Sequence, residues 1–168
     1  SLWGPALTSM IALIRAATTS MTSVPKPLKF MIPHFDAMKE VKLLPDHVLH
    51  PITPLFLQAF EKMSVGDVRM QCADVISVLA MTMSEERECL KFKLEGHQST
   101  EEIELWGHEY VRHLAGEVVQ EYNAAGEEEV ARKDVLVAMA KLIVPSQMKH
   151  HAEAEACDLL MEVEQLDN

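Results

Sequence analysis

The chain has 168 residues, which suits one domain or a contiguous part of a larger helical array, and 48% of them are apolar, enough to bury a core. A formal net charge of −11, from 26 acidic and 15 basic residues, repels phosphate backbones and anionic headgroups and so counts against nucleic-acid and membrane-surface partners. The 3 cysteines, Cys72, Cys89 and Cys157, are odd in number and far apart, which excludes a disulfide framework and points to a reducing compartment.

Aromatic residues make up only 5% of the chain while Met occurs 11 times, a core composition that suits helix-on-helix packing. The 6 Gly are too few for many tight β-turns, and the 8 Pro cluster rather than spread. No basic stretch is longer than Lys26 to Lys29. The longest apolar stretch, Val75 to Met83, falls far short of the roughly 20 residues a membrane span needs. No positive charge leads the first apolar run, so it does not read as a signal peptide, and a start at Ser1 with a polar end at Asn168 reads as a piece of a longer chain.

In chain order, Leu7, Met10, Ile11, Leu13 and Ile14 fall at helical spacings in a helix from Pro5 to Thr19, with Pro5 in its first turn. Pro25 and Pro27 end any helix before them, and a second helix is predicted over Pro33 to Leu43. Pro45, Pro51 and Pro54 mark a loop, after which Thr53 and Pro54 open a helix to about Met63. Ser64 to Met83 reads as a long buried helix, with Val68, Cys72, Val75, Ile76, Leu79 and Met83 three and four apart. Ser84, Glu85 and Glu86 restart the chain as a short helix that closes near Gly96 as a left-handed cap.

Ser99 to Glu102 is a capping box, and the helix it opens places Ile103, Trp106, Tyr110, Leu114 and Val118 on one side before ending between Asn123 and Gly126. The next helix is predicted from Glu127 to Val144, with Glu127, Glu128 and Glu129 as its first turn, Val130, Val135, Met139, Leu142 and Ile143 as its apolar positions, and Pro145 as its stop. Ser146 then caps a last helix to about Gln165 with Met148, Ala152, Ala156, Leu159, Leu160 and Val163 inward. No segment alternates with period two, so the chain is read as all-α, seven or eight antiparallel helices over residues 1–168 in a single domain, an irregular α-solenoid or HEAT-like bundle.

The most enzyme-like string is His108-Glu109-Tyr110-Val111-Arg112-His113. A zinc-protease helix needs its two His four apart to share a face; a spacing of five turns the second roughly 140° away. An ordinary helix carrying polar residues around a Trp106–Tyr110–Leu114 stripe accounts for the string. His150, His151, Glu153, Glu155 and Cys157 could share helix faces, yet adjacent His residues diverge by about 100° and no second ligand cluster accompanies them. His34, His47, His50 and His97 lie in or near loops without matching partners, and neither a nucleophile elbow nor a phosphate loop is present. Val24-Pro25-Lys26-Pro27 reads as a helix-to-helix linker rather than a polyproline ligand. The sequence thus assigns no catalytic, cofactor or metal-binding residue. A metal-dependent hydrolase built on His108, Glu109 and His113, or on His151 to Cys157, is the competing class.

Four strings are too specific to be composition. Thr18 to Phe30, Ser77 to Ser84 followed by Glu86 to Lys91, Trp106 to Val118 and Glu155 to Glu162 resemble, in order, the largest non-ATPase scaffold family of the proteasome regulatory particle base, in its N-terminal helical region. Residues 41–57 look like an insertion relative to that family, and residues 119–134 match it loosely. The resemblance implies a non-catalytic scaffold in the cytoplasm and nucleus that docks onto base ATPase subunits and other regulatory-particle subunits. It also implies that ubiquitin-related receptors are engaged through a downstream toroid of repeats absent here. An unrelated HEAT-like adaptor is the alternative with the same fold.

Overall fold

A computed structural model describes residues 3–17, 66–83 and 87–164. They contain seven helices and no strand: α1 (Trp3–Ala17), α2 (Asp67–Met83), α3 (Glu88–Lys93), α4 (Thr100–Glu104), α5 (His108–Ala124), α6 (Val130–Lys149) and α7 (Glu153–Glu162). The all-α reading holds. The predicted helices over 33–43 and 53–63, the Val24–Pro27 linker and the 41–57 insertion lie outside the described residues. The chain divides into two compact units, Ser1–His97 and Gln98–Asn168.

In the first unit α1 packs on α2, and α2 on α3. Leu7, Ile11 and Ile14 form the buried stripe of α1, while Leu13, expected inward, is 62% exposed. All nine residues from Cys72 to Ala80 are buried, so α2 is enclosed on every side of its middle turns. Two of the nine are polar, Asp74 and Ser77, and both are answered from α3 or the loop behind it. Ser77 Oγ donates to the Cys89 carbonyl at 2.7 Å, which ties the two helices together.

The cap expected at Gly96 takes a different form. The left-handed glycine among the described residues is Gly107, at φ 89°, not Gly96. Gly96 is required for another reason: a Cβ there would stand 2.3 Å from Asp74 Oδ1. The end of α3 closes instead through tight bonds from the Glu95 and Gly96 amides to the Phe92 and Lys93 carbonyls.

In the second unit α6 packs against α4, α5 and α7. Ser99 caps α4 as expected, its Oγ accepting from the Glu102 amide at 3.2 Å. One continuous helix was expected from Ser99 to Asn123; the chain breaks after Glu104 and restarts at His108 because Gly107 takes a positive φ. The predicted stripe survives the break, with Ile103, Trp106, Tyr110, Leu114 and Val118 all buried and the Trp106 and Tyr110 rings 6.5 Å apart.

Two expectations at the ends of α6 are corrected. Glu127 and Glu128 form a turn outside the helix, which starts at Val130, and Glu129 folds back so that its carboxylate accepts from the Gly126 amide at 2.9 Å. Pro145 does not stop α6, which runs one more turn to Lys149. Proline removes one donor, the one facing the Lys141 carbonyl, and crowds that turn. At the next carbonyl, Leu142, the Thr100 hydroxyl donates at 3.0 Å, and burial of Ser146 and Gln147 holds the extra turn in place.

Ser146 is therefore a buried residue inside α6 rather than the cap of the last helix, and Met148 is 50% exposed rather than inward. The break comes later. His151 adopts φ 58°, with the Ala152 amide donating to the Gln147 carbonyl at 2.9 Å and the His151 amide to that of Met148 at 3.4 Å. This paired pattern closes a helix end on a left-handed residue. Then α7 runs from Glu153 and buries Ala156 and Leu159, with Ala152 and Val163 buried at its two caps and Leu160 half-buried.

Candidate functional site

Among the described residues, the strongest concentration of buried polar groups lies in the first unit around Asp74. Its Oδ1 accepts from Lys93 Nζ at 2.8 Å, with the two side chains 2% and 0% exposed. Its Oδ2 faces His97 Nδ1 at 2.7 Å and the His97 amide at 3.3 Å. The other ring nitrogen of His97 lies 3.0 Å from Asp67 Oδ1 at the start of α2. Asp67 also accepts from Gln71 one turn along, through its other oxygen.

A carboxylate in an apolar interior is costly unless it is paired and hydrogen-bonded, and Asp74 meets both conditions. Three residues serve it: Lys93 at the end of α3, the bare Gly96 and the loop residue His97. The arrangement fastens α3 and the loop behind it to α2. It does not resemble a hydrolytic centre, because both carboxylate oxygens and both ring nitrogens are already engaged within the fold.

The cysteines behave as their helical settings demand. Cys72 and Cys89 are buried, and burial pushes the Cys72 thiol up to about 12, so it stays protonated and acts as a small apolar group. Cys157 is exposed on α7.

The histidine strings from the sequence are dispersed. His108 sits at the first turn of α5 with Glu109 exposed beside it, while His113 Nε2 meets Glu117 Oε1 at 3.0 Å on the same helix. His150 and His151 are not on the last helix at all; they form the closing turn of α6. His150 Nε2 turns to Glu104 Oε1 at 3.0 Å, an oxygen it shares with Lys149 Nζ at 2.7 Å. His151 Nδ1 stands 3.6 Å from Glu153 and is 91% exposed. The Lys149 hydrogen bond, ahead of His150, holds the Glu104 carboxyl below the usual range. Glu129 is likewise lowered, first by the Gly126 amide and then by Arg132.

The Asp74 cluster had one signal in the sequence: a charged residue inside an otherwise apolar helical run. Its partner had none, since Lys91 and Lys93 lie on opposite sides of α3 and only the fold turns Lys93 inward.

Comparison with known proteins decides the family. The family model described as the RPN1 N-terminal domain matches residues 1–168. The chain belongs to that family. It is 47% identical over 164 residues to the 26S proteasome non-ATPase regulatory subunit 2 homolog A of Arabidopsis thaliana, covering 96% of this chain and 16% of that protein. Against the 26S proteasome non-ATPase regulatory subunit 2 of Dictyostelium discoideum it is 43% identical over 162 residues, again 96% and 16% of the two chains. For the 26S proteasome regulatory subunit rpn1 of Schizosaccharomyces pombe the identity is 40% over 162 residues, 95% of this chain and 16% of that one. The chain thus spans about one sixth of the length of these relatives. The resemblance read from the four sequence strings is confirmed, and the RPN1 N-terminal domain is an all-α segment here.

Proposed function

We propose that this RPN1 N-terminal segment is a non-catalytic scaffold piece of the proteasome regulatory particle base, acting in ubiquitin-dependent degradation through protein–protein contacts. The observation that carries the reading is the family match along all 168 residues, joined to relatives named as non-ATPase regulatory subunits of the 26S proteasome. The side-chain chemistry agrees with it: His113, His150 and His151 each lie beside a local glutamate, Glu117, Glu104 and Glu153, instead of converging on one centre. On this reading the partners are base ATPase subunits and other regulatory-particle subunits, and the setting is the cytoplasm and nucleus. Ubiquitin-related receptors are engaged by the rest of the longer protein and not by this segment. Among the described residues no helix is long and apolar enough to cross a membrane.

The test is affinity capture from a eukaryotic extract with this chain as bait, beside a full-length relative, read by mass spectrometry. Regulatory-particle subunits recovered by both baits place a docking surface within these helices. Recovery by the full-length bait alone makes the segment an internal arm of the scaffold. Recovery by neither overturns the reading and leaves a HEAT-like adaptor of other partners.

A further inference from the structure

We draw no further inference here: the strongest candidate, the outer apolar face of α6 along Ala131, Val135, Ala138 and Leu142, carries nothing because nothing in the structure shows what covers it.

Discussion

The two long helices α2 and α6 are composed alike and end up differently. Each carries apolar residues around its whole circumference, yet α2 is enclosed across its middle turns while α6 leaves one apolar side in water. Their polar residues are placed in the opposite sense. On α2 an acid and a hydroxyl sit in the core with every need met by α3 and the loop behind it; on α6 an acid and a lysine sit outside with no partner among the described residues. Mean apolarity of a helix therefore does not tell whether it lies at the centre of a fold or at an interface. What tells is whether its charged groups have been answered from within.

The sharpest way to break this comparison is to remove a cation from each helix system. Lys93→Met leaves the Asp74 carboxylate buried against an apolar group, and stability should fall by about 3–5 kcal/mol. Adding Asp74→Asn in that background should recover part of the loss, since the buried charge is then gone. Lys141→Met on α6 should change stability by no more than about 0.5 kcal/mol. Urea denaturation of the variants measures all of these. A Lys93→Met variant as stable as its parent would mean that water reaches Asp74.

A smaller and more local contrast lies between neighbours on α6. Leu136 is 2% exposed and Val135 is 47% exposed. Leu136→Ala should cost about 2–5 kcal/mol through lost burial and the cavity left behind. Val135→Ala should cost less than about 0.5 kcal/mol. Equal costs at the two positions would show that the outer side of α6 is covered in solution.

The positions that periodicity located well are those where one face of a helix decides. The stripe from Ile103 to Val118 is buried throughout although Gly107 cuts the helix in two, because the spacing of apolar residues records the core and not the continuity of the backbone. Ser99 was legible as a cap for a related reason: its hydroxyl acts on an amide three residues away. Where the sequence misled, the missing information was tertiary. Pro145 is a stop signal by any local rule, and only the Thr100 hydroxyl and the buried turn after it allow α6 to continue. His150 and His151 were placed on the last helix because nothing local announces that His151 takes a left-handed conformation. Val130 and Val135 were grouped by pattern with Met139 and Ile143 as the apolar positions of one helix, yet those two face solvent while Met139 and Ile143 are buried. Of the Asp74 cluster only the acid itself could be noticed, since Lys93, Gly96 and His97 acquire their meaning from the way α3 folds back on α2.

The mildest effect concerns a pair with almost the same geometry as Asp74 and Lys93 in a wetter place. Lys149 Nζ lies 2.7 Å from Glu104 Oε1, but its side chain is 65% exposed and that of Glu104 22%. Water screens such a pair, and its contribution should stay below about 1 kcal/mol. The Lys149 hydrogen bond lowers the Glu104 pKa from its ordinary 4.5, so the folded state holds the carboxylate ionised to lower pH than the unfolded chain does. The stabilisation is then fully present above the unfolded value and is lost as pH falls through the folded one. Glu104→Gln should accordingly be slightly less stable than the parent near neutral pH, with the gap closing below about pH 4. Paired urea titrations across that range read the difference directly, and a gap that persists unchanged into acid would show that Glu104 acts through packing rather than through its charge.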